Sequence, residues 1–344
     1  MRQLLSNGWR VKCLIHKDLT ALSNLDIETV KGGLSDPKFL SENMEGSDAV
    51  FHSAAYVSVE NIDIPLMHEI NVVGTKNICQ AAIDANIPKL IHFSSIHAFN
   101  QLPTNEPLDE DRPLVSNKNA PPYDMTKAAA QRLVYDACDS GLDASILHPT
   151  GIIGPFDFKP SRMGKVLLDI MTRKMLININ AGFNWVDVRD VNKAAINCTT
   201  LGRQGQHYII PGQWATFEQI STMISNQLHL RTNLVTLPFW SAYLALPFAF
   251  LFSILLLGFA FRWIQFLGIL TGIIGLCIFV GMDAMEFHPL ANLSAVMGAM
   301  MYGLSMVYIF KLNFEDTKLM AAASMVAATI CISPLLVFFP IPWE

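Results

Sequence analysis

Short apolar runs alternate with helical stretches through the first half of this chain, and this alternation restricts the possible folds more than any other feature. The runs lie at residues 11–15, 49–54, 90–94 and 144–147, and the helical stretches lie around residues 65–85 and 122–140. Each run is continuously apolar, as expected for a strand with helices on both faces. The pattern predicts an α/β fold built on a doubly wound parallel sheet.

A sheet of this kind normally opens with a strand and a glycine-rich turn, whose amides and following helix N-terminus hold a pyrophosphate. Residues 1–8 do not fit that pattern. They indicate the end of a helix with Gly8 at its C-terminus, and a strand begins near residue 11. We therefore expect a Rossmann-like sheet that lacks its first strand.

The composition changes near residue 232. Four apolar stretches follow, at residues 235–261, 263–282, 293–310 and 319–342, and stretches of about 18 or more uncharged residues can cross a bilayer as helices. Pro238 and Pro247 interrupt the first stretch, which leaves its spanning open. We expect an α/β domain at residues 1–238 and a C-terminal bundle of transmembrane helices at 239–344. This organisation predicts a multi-pass membrane protein that contacts lipid and has a cytoplasmic N-terminal domain.

Charge and ligand spacing exclude several classes of function. The net charge of −5 gives no basic stripe for phosphates, so we expect no nucleic-acid partner. The six cysteines are widely spaced without a C-x-x-C pair, which indicates reduced thiols. The histidines do not stand at metal-ligand spacing, and we predict no metal. We expect ion pairing at the N-terminus of a helix among Asp187, Arg189 and Asp190.

Tyr123 and Lys127 stand four residues apart on a predicted helix, so their side chains share one face. A nearby ammonium favours the phenolate, so we expect a lowered pKa for Tyr123 and proton exchange with a carbonyl or hydroxyl. Tyrosine and lysine at this spacing can also be solvent-exposed residues on a helix surface without a catalytic role. Ser95 follows a predicted strand, where these sheets bind ligands, although a strand-end hydrogen bond explains a serine there equally well.

Several motifs in sequence order make residues 1 to about 238 resemble the extended short-chain dehydrogenase/reductase family, in its NAD-dependent epimerase/dehydratase and dihydroflavonol-reductase-like branch. The motifs are residues 50–55 (VFHSAA), 71–75 (NVVGT), Ser94-Ser95, Tyr123 to Lys127, 148–155 (HPTGIIGP) and 185–191. The resemblance implies that Tyr123 is the general acid/base and that Lys127 binds the nicotinamide ribose and tunes Tyr123. It implies that Ser95 orients the substrate carbonyl and that Asn71 supports the hydrogen-bond network.

The same resemblance implies NADP or NAD as cofactor. The residues implied to line it, besides Tyr123 and Lys127, are Ala54, Ala55, His148 and Pro149. Lys17 follows the second strand together with His16, and a basic pair there favours the 2′-phosphate of NADP, although His16 also suits a polar strand end. Gly33 stands where the family usually has an acidic residue near the adenine.

From about residue 249 the chain resembles the EamA-type permeases of the drug/metabolite transporter superfamily, on residues 256–258, 262–268, 272–275 and 293–311. A carrier path needs two facing inverted repeats, which this segment cannot build alone. The chain thus predicts a membrane-tethered NAD(P)-dependent oxidoreductase or epimerase that acts on a carbonyl or hydroxyl of a small molecule, with a sugar nucleotide as one possibility. A catalytically impaired fusion of two truncated genes and a partial transporter component are the alternatives, and homo-oligomerisation is open.

Overall fold

The computed structural model describes residues 1–16, 19–57, 63–103, 106–172, 177–229 and 235–237. The chain divides into two compact units. The first combines Met1–Gly164 with Phe183–Trp214, and the second takes the described parts of Lys165–Gly182 and Ala215–Glu344. The predicted site residues belong to the first unit, except that Lys17 lies outside the described residues.

Strands and helices follow the order that the sequence predicts. The strands are β1 (Lys12–Ile15), β2 (Glu28–Lys31), β3 (Val50–His52), β4 (Leu90–Phe93), β5 (Ala144–Pro149), β6 (Gly151–Ile153), β7 (Ile177–Ile179), β8 (Gly182–Asp187), β9 (His207–Ile210), β10 (Gln213–Thr216) and β11 (Val235–Leu237). The helices are α1 (Arg2–Ser6), α2 (Pro37–Met44), α3 (Ile64–His68), α4 (Gly74–Asp84), α5 (Pro122–Asp139), α6 (Arg162–Met171), α7 (Val188–Leu201) and α8 (Phe217–Leu228). A π-helical segment, Glu69–Val73, joins α3 to α4.

Four parallel strands form the main sheet, in the order β3-β4-β5-β9. In register, Leu90 pairs with Ala144, and Ile146 pairs with His207. Both faces carry helices, since Leu90 and Ile146 pack among α2, α4 and α5, whereas Leu147 packs against α7. The doubly wound parallel sheet predicted from the sequence is confirmed.

Strands β1 and β2 form a separate two-stranded parallel sheet, and within the described residues no ladder joins it to β3. Burial differs between the two sheets. Every residue of β5 is buried, whereas Cys13, Leu14 and Ile15 of β1 are only partly buried. Leu14 nevertheless packs against the core of the main sheet, so the pair continues the α/β layer without hydrogen-bonding to it.

Local sequence signals explain where several helices begin. Asp36 caps α2 by accepting from two backbone N–H groups of its first turn. Asp187 caps α7 and pairs with the Arg189 guanidinium, which confirms the predicted ion-paired entry for these two residues. Helix α8 begins with a capping box formed by Thr216 and Gln219.

The predicted transmembrane bundle and permease-like segment lie outside the described residues, apart from the first residues of the first apolar stretch. Those residues, Val235–Leu237, form β11, which pairs in parallel with β7. In the part of the chain that the structure describes, no helix combines the length and apolarity needed to cross a bilayer.

Candidate active site

Helix α5 carries two predicted site residues to the carboxyl end of the main sheet. Lys127 Nζ donates to the carbonyl oxygen of Phe93, the last residue of β4, across 2.8 Å. The Tyr123 hydroxyl lies near the side chain of Ser95, which follows the same strand and acts to lower the pKa of the phenol. The structure therefore brings Tyr123, Lys127 and Ser95 together at the sheet edge where open α/β folds bind ligands.

Asn71 connects the loop after β3 to helix α5. It lies in the π-helical segment, a rare conformation that often marks functional sites. Its side chain accepts from the Tyr56 N–H at 2.7 Å, and donates to the Tyr56 carbonyl at 3.0 Å and to Thr126 Oγ1 at 3.2 Å. Thr126 in turn donates to the Tyr123 carbonyl at 2.8 Å. Asn71 thus fixes the loop relative to the first turn of α5, in keeping with its predicted supporting role.

The expected lowering of the Tyr123 pKa is wrong. Burial raises the pKa of Tyr123; the nearby Ser95 side chain offsets part of that rise, and the negative charge of Asp124 adds to it. Burial also lowers the pKa of Lys127 to about 8, because a charged ammonium is costly in an apolar interior. Attraction between a phenolate and an ammonium would lower the Tyr123 pKa, whereas desolvation is the largest effect at both groups.

The chain directly after β3, which Asn71 links to α5 through Tyr56 and Thr126, leaves its backbone open. Ser53, Ala54 and Ala55 are all exposed, and their small side chains leave the peptide groups accessible to a ligand. Lys127 has three N–H donors, of which Phe93 accepts one. The phenol, the ammonium and the open backbone fit the nicotinamide-ribose end of a dinucleotide.

The side chain of His148, predicted beside the cofactor, is fully buried and supports Ser95 instead. Its Nδ1 lies 2.8 Å from the Ser95 carbonyl oxygen, and because a carbonyl only accepts, Nδ1 carries the proton. Phe99 packs against the imidazole with ring centroids 4.3 Å apart. Pro149, which ends β5, is also buried. His148 therefore fixes the backbone that presents the Ser95 hydroxyl, and its role toward a cofactor stays a prediction.

Sequence reasoning missed a group of histidines under the site. His52 and His92 are register partners on β3 and β4 with ring centroids 5.2 Å apart, and His148 lies on β5. We call these three residues the imidazole cluster. Burial lowers the pKa of His52 to about 3, that of His148 to about 4 and that of His92 well below its ordinary value. Each lies on the face toward α5, two residues beyond an apolar core residue of its strand, so strand periodicity could have grouped them.

A chain of hydrogen bonds runs from β4 to the far edge of the sheet. Ser94 donates to Gln131 Oε1, Gln131 Nε2 donates to the Tyr135 hydroxyl, and that hydroxyl lies 2.8 Å from His207 Nδ1. His207 Nε2 is 2.7 Å from the Glu110 carbonyl oxygen, which only accepts. Nε2 therefore carries the proton, and Tyr135 donates to Nδ1. The direction of every bond is fixed, which ties α5 to β4 and β9.

His97 forms a second ionisable pair at the same edge. It lies in a short 3₁₀ turn, Ile96–Ala98, directly after Ser95. His97 Nδ1 is 3.2 Å from Asp124 Oδ1, and its ring meets the Tyr123 ring edge-on with centroids 5.9 Å apart. The His97 side chain is 52% exposed, whereas that of Asp124 is 8% exposed. An imidazole open to solvent thus stands beside the phenol, backed by a buried carboxylate.

A family model described as the NAD dependent epimerase/dehydratase family matches residues 1–210 of this chain. The chain belongs to this family. Membership confirms the Rossmann-like α/β part of the predicted fold and the predicted class of cofactor, a nicotinamide dinucleotide. Within the described residues no three histidine, cysteine or acidic side chains are grouped so as to hold a metal ion, and the prediction of no metal stays a prediction.

Individual relatives share moderate sequence identity with the chain. It is 31% identical to sterol demethylase protein B of Methylococcus capsulatus over 222 residues, which cover 64% of this chain and 67% of that protein. It is 30% identical to a putative dihydroflavonol 4-reductase of Synechocystis over 246 residues, which cover 70% and 71%. The crystal structure of the dTDP-glucose 4,6-dehydratase DesIV from Streptomyces venezuelae with NAD bound matches with a TM-score of 0.59 at 22% identity, covering 69% and 79%. This last likeness shows the fold.

Proposed function

We propose that this protein is a membrane-tethered, NAD(P)-dependent oxidoreductase or epimerase that acts on a carbonyl or hydroxyl group of a small molecule. The main support for this proposal is the position of the Tyr123 phenol, near the Ser95 side chain and on the same helix as the buried ammonium of Lys127. A proton donor, an orienting hydroxyl and a cationic group at one strand end are what reversible carbonyl reduction requires.

The side chains have distinct tasks in this proposal. A nicotinamide, when bound, supplies or accepts a hydride. Tyr123 delivers a proton to the substrate oxygen or removes one, and because burial raises its pKa the phenol is protonated at neutral pH and suits the direction of carbonyl reduction. Ser95 Oγ accepts from the His97 N–H at 3.2 Å, so its own proton is available to Tyr123 or to the substrate oxygen.

Lys127 would hold the nicotinamide ribose through N–H groups not engaged by Phe93, while residues 53–55 line the same end. His16 is exposed just after β1, and the basic pair that it forms in sequence with Lys17 supports a preference for NADP. The names of the relatives, a reductase and a sugar-nucleotide dehydratase among them, support an oxygen-bearing substrate, with sugar nucleotides as one class.

The membrane tether rests on the composition of residues 239–344. If the apolar stretches span, the full-length protein stays in the pellet after carbonate extraction at high pH and moves to the supernatant only with detergent. Release by carbonate alone would refute the tether and leave the proposed chemistry untouched.

Cofactor binding tests the chemistry directly. We expect the full-length protein to enhance or quench NADPH fluorescence in a saturable titration, more tightly than NADH. Lys127→Met removes the buried ammonium and should weaken binding about tenfold or more, the equivalent of one charge-assisted hydrogen bond. Tyr123→Phe should keep the cofactor and lose turnover.

Lys118→Met is the matched control, because Lys118 is exposed on the loop before α5 and undergoes the same substitution. Its titration should match that of the unmodified protein. Absence of saturable binding by either nucleotide at millimolar concentration would contradict the proposal and favour the catalytically impaired fusion.

A further inference from the structure

His97 and Asp124 have no task in the hydride-transfer scheme, although they border the same space as Tyr123. The His97 ring stands edge-on to the Tyr123 ring at 5.9 Å between centroids, so the imidazole is within reach of a small carbonyl compound that is hydrogen-bonded to the phenol. We propose that His97 is a second proton-transfer residue of this site, a general base toward the carbon next to the substrate carbonyl. This inference rests on the proposed role of Tyr123.

The contact with Asp124 fixes which nitrogen is available. Asp124 Oδ1 lies 3.2 Å from His97 Nδ1, and since a carboxylate only accepts, Nδ1 carries the proton of the neutral imidazole. The lone pair is therefore on Nε2, away from Asp124. A carboxylate behind an imidazole also stabilises the imidazolium that forms when Nε2 takes up a proton. Asp124 is thus a positioning residue for His97.

Exposure separates His97 from the other histidines of this region. Its side chain is 52% exposed, whereas His52, His92 and His148 are 3% exposed or less. The buried rings have no path to a substrate. His97 is anchored by its backbone, because its N–H donates to Ser95 Oγ, so the ring keeps a fixed position next to the residue that orients the substrate oxygen.

The step is a proton transfer without oxidation or reduction. The C–H bond beside the carbonyl breaks, and the proton forms an N–H bond at His97 Nε2. The electron pair becomes the C=C bond of an enol, while the carbonyl oxygen takes the proton of the Tyr123 hydroxyl. When solvent water returns a proton to the opposite face, the carbon is inverted. When a hydroxyl on the next carbon takes the proton of the His97 imidazolium and leaves as water, the result is elimination. In both cases Tyr123 recovers its proton from the enol oxygen. The site would therefore catalyse epimerisation or dehydration as well as carbonyl reduction.

Hydrogen–deuterium exchange on a small ketone tests this step without any cofactor. The full-length protein is incubated with hydroxyacetone in D₂O, and loss of the proton signals beside the carbonyl is followed by NMR. Hydroxyacetone is small enough that pocket size does not exclude it. We expect catalysed exchange in the unmodified protein, a loss of about 100-fold in His97→Gln, and an intermediate loss in Asp124→Asn. Tyr123→Phe should also slow exchange, because the enol oxygen loses its proton donor.

Asp136→Asn is the matched control, since Asp136 is exposed on the same helix and should leave exchange unchanged. Exchange that persists in His97→Gln would overturn the inference, and so would absence of exchange in a protein that binds NADPH. The latter result leaves the proposed reductase chemistry standing. Absence of both exchange and nucleotide binding would overturn the two together, whereas His97-dependent exchange without nucleotide binding would support the proton-transfer role alone.

The tautomer of His97 gives a second readout that a purely structural residue would not show. In ¹⁵N-histidine-labelled protein, the neutral His97 ring should carry its proton on Nδ1, and Asp124→Leu should shift it toward Nε2. An unmodified ring protonated on Nε2 when neutral would contradict the assigned base.

Discussion

The floor of the active site and its mouth place histidines in opposite environments. The floor is the imidazole cluster, three rings enclosed between the main sheet and helices α4 and α5, with pKa values far below the ordinary value. The mouth consists of His97 and residues 53–55, which are exposed. The fold therefore keeps the buried histidines that support the site in one protonation state, whereas the residues proposed to contact ligands are exposed to solvent.

The buried floor has a role in positioning. His52 Nε2 is 2.9 Å from Thr75 Oγ1, and Thr75 donates its own proton to the Asn71 carbonyl, so His52 must donate to Thr75. His148 supports Ser95 in the same manner. Two members of the cluster therefore hold the backbones of Asn71 and Ser95, and both need a neutral ring with a defined tautomer.

Lowering the pH should destabilise the protein, because the buried histidines of the floor resist protonation in the folded state. This is the largest change in unfolding free energy that we expect. The unfolded chain takes up protons at these imidazoles below about pH 6.5, while folded His52 and His148 do so only near pH 3 and 4. Their contribution to the unfolding free energy is fully present above pH 6.5 and is lost as the pH falls. At pH 5 the loss is about 2 kcal/mol for each, or about 4 kcal/mol together, and His92 adds to it. Urea unfolding of the full-length protein at several pH values measures the slope.

Two glutamine variants separate the floor from the surface in this experiment. His52→Gln keeps a donor for Thr75 and should remove about 2 kcal/mol of the loss between pH 7 and pH 5. His68→Gln changes an exposed histidine and should leave the slope as it is. Equal slopes in all three proteins would show that the cluster is not held neutral.

Lys127 should produce the second largest effect, at alkaline pH. Its pKa is about 8 in the folded protein against about 10.4 in the unfolded chain, so the unfolded state binds more protons between these values. Stability from this group therefore increases as the pH rises from 7 to 10, by about 2 to 3 kcal/mol. Lys127→Met should abolish that increase, and Lys118→Met should preserve it. A parallel increase in Lys127→Met and the unmodified protein would contradict the buried ammonium.

Most of the fold and half of the site follow from the sequence. The strands predicted at residues 11–15, 90–94 and 144–147 lie within two residues of the observed bounds, because a short apolar run depends only on neighbours along the chain. Tyr123 and Lys127 were placed by helix periodicity. The direction of the Tyr123 pKa shift was not predictable, because desolvation depends on what packs around α5. The His97–Asp124 pair joins two separate segments, and no local pattern shows that their side chains meet.

Gln131 is buried under the same face of the sheet as the floor and should give a smaller effect at neutral pH. It is fully buried, accepts from Ser94 and donates to Tyr135. Gln131→Leu keeps a similar side-chain volume, but the Ser94 hydroxyl loses its acceptor and the Tyr135 oxygen loses its donor. We expect the unfolding free energy to fall by about 2 kcal/mol as a result. Gln80→Leu, at an exposed position of α4, is the matched control. Equal stability of the two variants would mean that the hydrogen-bond chain to His207 does not stabilise the fold.

His97→Gln should change stability least, and this small change distinguishes the mouth from the floor most directly. The ring is half exposed, and glutamine keeps a side-chain N–H donor for the buried Asp124 carboxylate, so the unfolding free energy at pH 7 should fall by less than about 1 kcal/mol. The loss of exchange expected for the same variant would then come from chemistry, since the folded population is unchanged. A destabilisation as large as that of Gln131→Leu would instead place His97 among the structural residues. A side chain that faces ligands should be replaceable without disturbing the packing beneath it.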